Sequence, residues 1–275
     1  MTTQSKTAIT HDLILAARKG LRPVAERSWL SGFGNMLSKE LGQWLGTRTW
    51  WIQALIWVLI LNGVSTIVAL SEPVAHAEIL EEVVQTFLPM MVGAVGIGTI
   101  ITVQGAIVSE KELGTAAWVM SKPASRSAFI LAKIIAYAVG LSISAILIPS
   151  VIFYFEMRWL ISASLPWTPF LAGVAVAVLH LLFYIVLTLM LGTLFSSRGP
   201  VAAIGIVMIM SGLLFKGFIP LEVMFFTPWL FPDLSGAVAL ELPLPPGWFV
   251  PILAVSGWII VMTAVALWRF GREEF

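Results

Sequence analysis

The residues whose types and spacing could do chemistry are few, and most of them sit in one short stretch. Ser109-Glu110-Lys111-Glu112-Leu113-Gly114-Thr115 is followed by Trp118, Ser121-Lys122-Pro123 and Ser125-Arg126, with Lys133 beyond. Charges of both signs, punctuated by Gly114 and Pro123, suit a short stiff helix and turn whose polar face would be wasted in lipid. Its chemistry is docking by charge and shape. A polar loop held on the inner side of a membrane by its basic residues is the plainer reading of the same stretch.

Catalytic patterns are absent. The sequence has no H-E-x-x-H, no G-x-S-x-G and no G-x-x-x-x-G-K-[ST] to cradle a nucleotide's phosphates. His11, His76 and His180 are too far apart for a shared metal site, and with no cysteine there is neither a disulfide nor a thiolate nucleophile. The polar residues within apolar runs are Gln53, Asn62, Gln104 and His180. Each either bonds a neighbouring helix, worth about 0.6 kcal/mol on average, or lines a transport path. No apolar run carries an acidic or basic relay at its centre, which argues against ion-coupled secondary transport and against an intramembrane enzyme.

The elements that must position these residues follow from composition. Of 275 residues, 59% are hydrophobic and 11% charged, with a mean hydropathy of +0.95. An ordinary soluble domain is roughly 25% charged, so lipid is the expected solvent. A net charge of +1 gives no basic excess for nucleic acid. A bilayer core needs about 20 apolar residues in a helix, and six runs fit, at about 50–70, 89–108, 127–155, 170–195, 200–215 and 249–267. The fifth is short, and Lys133 lies near enough to the end of the third to snorkel to the interface. With both termini inside, Arg158 and Lys216 alone of the 16 Lys and Arg residues fall outside the cytoplasmic segments, as the positive-inside rule requires.

Two further segments are neither span nor simple loop. Leu30, Phe33, Leu37, Leu41 and Trp44 recur at helical spacing, with Ser31, Asn35, Ser38, Lys39 and Gln43 opposite, which predicts an amphipathic helix on the inner leaflet. Residues 216–248 are apolar but broken by six prolines, so a re-entrant pair of short helices replaces a continuous crossing. The fold expected is therefore all-α: a polytopic membrane protein of six spans with an N-terminal interfacial helix and a re-entrant hairpin before the last span. Residues 1–28 form a cytoplasmic extension, with a possible helix at 12–21, ahead of one membrane domain at 29–275.

The charged stretch resembles the E-x-E-x-G-T … P-x-S-R … K signature between the second and third spans of type-2 ABC exporter permeases. Glu110, Glu112, Gly114, Thr115, Pro123, Ser125, Arg126 and Lys133 match it in order and spacing. Lys39-Glu40 before the first span, the six spans and the broken hairpin agree with that family. The resemblance implies that residues 110–126 form a coupling helix seated on a separate ATPase subunit, present in two copies and carrying the ATP and Mg. It implies no cofactor on this chain, a second permease subunit that is identical or homologous, and a location in the cell membrane. It also implies a translocation path between the two permeases along the first, second and fifth spans, for which Asn62, Thr99, Thr102 and Met208 are candidates. A non-transporting membrane anchor or signalling subunit is the competing function.

Overall fold

The computed structural model describes residues 28–71, 76–121, 124–162 and 165–273, the side chains of 76–78 excepted. The extension up to residue 27, with its expected helix at 12–21, lies outside the described residues, as do Glu72, Lys122 and Pro123. No strand occurs among the described residues. In chain order the helices are α1 (Phe33–Leu45), α2 (Thr49–Ser71), α3 (His76–Val103), α4 (Val108–Glu112), α5 (Thr115–Met120), α6 (Arg126–Leu141) and α7 (Ile148–Leu160). There follow α8 (Trp167–Leu194), α9 (Arg198–Phe215), α10 (Leu221–Met224), α11 (Phe231–Ala239) and α12 (Val250–Gly271). A π-helical segment, Ser142–Leu147, joins α6 to α7 without interrupting the rod. Among the described residues six stretches are long and apolar enough to cross a membrane, and the chain is a multi-pass all-α membrane protein.

Three of the spans differ from the hydropathy reading at their ends. The second begins at Ile79 and not at Pro89. Glu81 and Glu82 are exposed on α3 while Val83, Val84, Phe87 and Leu88 are buried, so the helix extends upstream of Pro89 as an amphipathic segment. The third runs over Arg126–Leu160, with Glu156 inside it. The fifth reaches Phe218 and is 21 residues long, enough for a crossing.

α8 is the hub, packed by α3, α6, α9, α11 and α12. Close approach depends on glycine where α11 meets it: a Cβ on Gly173 would lie 2.5 Å from the Ser235 carbonyl oxygen and 2.9 Å from Ala239 Cβ. The broken segment is a set of short helical turns, and α11 packs against α3 and α8. Tryptophan indoles tie it to its neighbours: Trp229 Nε1 donates to the Met208 carbonyl at 2.9 Å, and Trp258 Nε1 to that of Phe226 at 3.0 Å.

The α8–α11 contact yields a stability prediction. Gly173→Ala has a rigid backbone carbonyl in its way, so it should destabilise the detergent-solubilised protein by about 1–3 kcal/mol. Thermal unfolding reads this, and an unshifted midpoint would contradict the packing.

Candidate functional site

The connection between the second and third spans folds as two short helices, α4 and α5, joined at Gly114. Gly114 has φ +68, a left-handed conformation that glycine adopts without strain. The Thr115 hydroxyl donates back across the turn to the Glu110 carbonyl at 3.2 Å. Ser125 caps α6 by accepting from the Ala128 amide at 3.0 Å, and its own amide donates to the Ser31 carbonyl at 2.9 Å. The Ser125 hydroxyl also donates to the Trp29 carbonyl, so the cap straps the start of α6 to the segment leading into α1.

Beneath this connection lies a buried ion cluster. Lys133, 2% exposed, places Nζ 3.1 Å from Glu40 Oε1 and 2.8 Å from Glu110 Oε1. Lys39 Nζ sits 3.0 and 3.2 Å from the same two oxygens. Two cations and two anions thus alternate with no net charge, joining α1, α4 and α6. Charges this deep persist only with partners of opposite sign. For Lys39, burial opposes the charge, but the hydrogen bond and charge of Glu40, then the charge and hydrogen bond of Glu110, outweigh it and raise its pKa above the ordinary lysine value.

The cluster corrects two expectations. Lys133 does not snorkel; it is held inside by Glu40 and Glu110. On α1 the inward stripe is Met36, Glu40 and Trp44, with Phe33, Leu37 and Leu41 half-buried at its edge. The helix is turned so that Glu40 meets Lys133 and the Trp44 indole enters a notch at Gly140, where a Cβ would lie 2.6 Å from the ring. Trp44 meets Tyr137 edge-on at 5.7 Å. Lys133, Tyr137 and Gly140 form one face of α6 that receives Glu40 and Trp44 in step.

The end of α12 closes the same assembly. Lys111 Nζ lies 3.1 Å from Glu273 Oε1 and donates to the Thr193 carbonyl at 3.0 Å, while Arg126 donates to the Gly271 carbonyl. Phe129, whose ring lies 5.0 Å from Lys133 Nζ, stacks on Phe270 at 5.0 Å. Glu273 was not visible as a site residue in the sequence, because a lone acid near the terminus carries no pattern. On the other side of the connection Glu112 is exposed, with Leu113 76% and Trp118 63% exposed. Of the matched signature residues that are described, Glu110, Thr115, Ser125, Arg126 and Lys133 thus hold the connection in place. Glu112 faces out.

The four path candidates lie on α2, α3 and α9. Asn62 is 4% exposed, and its amide donates to the Pro149 carbonyl and to Glu156 Oε2, each at 3.1 Å. Thr66 donates to the other Glu156 oxygen. Thr99 is buried and bonded within its own helix to the Val95 carbonyl, Thr102 accepts from Gln53 at 3.3 Å, and Met208 is half-buried. Glu156 was missed because it follows the apolar run directly and reads as a membrane exit; the facing polar pair Asn62 and Thr66 is the signal that places it.

A family model described as a protein of unknown function (DUF2705) matches residues 69–275. The chain belongs to that family. No curated protein matches it. The DUF2705 stretch carries Glu110, Lys133 and Glu273, whereas Lys39 and Glu40 lie ahead of it, so the ion cluster joins the DUF2705 stretch to the helix that precedes it.

Lys133→Met leaves two buried carboxylates with Lys39 alone and should cost about 3–5 kcal/mol. Lys39→Met removes a half-exposed partner and should cost about 1 kcal/mol or less. Equal losses in thermal unfolding would contradict the assignment of Lys133 as the centre of the cluster.

Proposed function

We propose that this chain is the membrane-spanning permease subunit of an ATP-driven exporter of the type-2 ABC class. The observation that carries the reading is the two-sided connection: braced from within by the Lys39, Glu40, Glu110 and Lys133 cluster, it presents Glu112, Leu113 and Trp118 outward. A large apolar residue beside an exposed charge, on a rigid support outside the apolar spans, suits a protein partner. The spacing of the signature residues resembles that family's, and the brace explains why those types are needed.

In this reading the connection, the termini and α1 face the cytoplasm, with α1 at the inner leaflet, and the short turns around α10 and α11 enter the membrane from the outer face. Two copies of a separate ATPase chain carry ATP and Mg, and a second permease, identical or homologous, completes the complex in the cell membrane. Closure of the ATPases pushes on the connection. Through the ion cluster and the Phe129–Phe270 stack, that push reaches α1, α6 and α12 together.

Full-length protein captured from its native membranes in mild detergent should bring down a stoichiometric ATPase chain. Glu112→Lys combined with Leu113→Ser should cut that capture by about tenfold without shifting thermal unfolding. Capture of no nucleotide-hydrolysing chain by the unaltered protein would overturn the reading in favour of an anchor or signalling subunit.

A further inference from the structure

At the opposite end of the bundle from the ion cluster, α3, α8, α9 and α11 line a half-open cavity of about 490 Å³, within the roughly 300–1,000 Å³ typical of small-molecule sites. Its walls are largely apolar, from Met90, Ile97, Ile209 and Leu213. Three features separate it from a packing defect. His180, 4% exposed, lines it together with Tyr184, and among the described residues neither side chain has a hydrogen-bond partner; the imidazole makes ring contacts with Tyr184 at 4.8 Å and Phe231 at 5.8 Å. Polar atoms without a protein partner that open onto a cavity call for water or a ligand there, and empty cavities are normally apolar. Second, the charged residues lining it, Lys216 and Asp233, pair with each other, so the cavity carries no net charge. Third, Gly93 lines the cavity and a Cβ there would meet nothing within 4 Å, so the α3 wall is open at that point.

We infer that this cavity binds one neutral, single-chain amphiphile: an apolar molecule with a single hydrogen-bonding oxygen that meets His180 and Tyr184, its chain lying along α3 and α9. The neutral Lys216–Asp233 pair gives an anion or a cation no advantage, and a cavity of about 490 Å³ suits a single chain. The inference goes beyond the proposed transport role and requires no partner chain, so either can fail without the other.

The test uses the full-length protein in detergent and a photoactivatable long-chain primary alcohol bearing a diazirine. The matching carboxylic acid, amine and two-chain diacylglycerol probes serve as comparisons, and adducts are mapped by peptide mass spectrometry. The alcohol should label the peptides of Met90 and Met210 saturably, and the three comparison probes should do so about tenfold less. Gly93→Leu should abolish the saturable component while the protein still elutes as the unaltered form does. His180→Phe, which keeps a ring of similar size, should weaken the alcohol about tenfold and leave a plain alkane probe unchanged. Non-saturable labelling spread over α2 and α12, equal labelling by the acid, amine or diacylglycerol, or full labelling of both variants would overturn the inference.

Discussion

One buried ammonium organises the charged end of this molecule. Lys133 sits at 2% exposure between Glu40 and Glu110, and its removal would leave both carboxylates in a low-dielectric interior without adequate neutralisation. Opposite charges at these distances need not add net stability over an apolar core, but they do not tolerate a change of register. The cluster therefore acts chiefly as a constraint. α1 meets α6 with Glu40 at Lys133 and Trp44 at Gly140, and α4 lies where Glu110 reaches the same ammonium.

That constraint divides the labour along a few residues. In α4, Glu110 turns in and Glu112, two positions on, turns out, as a helix of 3.6 residues per turn demands. The left-handed Gly114 then breaks the helix, and α5 carries Trp118 exposed. Lys111 and Arg126 bind the end of α12, and Ser125 binds the lead-in to α1. The exposed edge is thus tied to α1, α6 and α12 at once. The other end of the bundle is built differently, with tryptophan anchors, proline-broken turns and a cavity in place of an ion cluster.

Much of this was legible in the sequence. Apolar runs of membrane length gave six spans, because nothing else accommodates about 20 consecutive apolar residues. The proline-broken segment was legible too, since six prolines leave no room for one helix. What local pattern could not supply were pairings across long sequence separations. Glu40 and Glu110 lie 93 and 23 residues from Lys133, and no window shows that they converge on it; Lys133 alone looks like a residue reaching for the interface. Glu156 likewise reads as the end of a span until Asn62 and Thr66 are seen to face it. The inward turn of Glu40 was hidden because Leu37 and Leu41 make a plausible apolar stripe one residue away. His180 was visible as a polar residue in an apolar run, but its cavity depends on α11 and on an open Gly93, which lie far from it in sequence.

The central claim is that the Lys133 cluster holds α1, the connection and α6 as one mechanical unit. Hydrogen exchange of the full-length protein, compared with Lys133→Met under conditions where both are folded, tests it most directly, since local opening is read amide by amide. Exchange should be faster in α1, α4 and α5 together, with α8 and α11 unchanged. Loss of protection confined to α6, or spread evenly over the bundle, would contradict it.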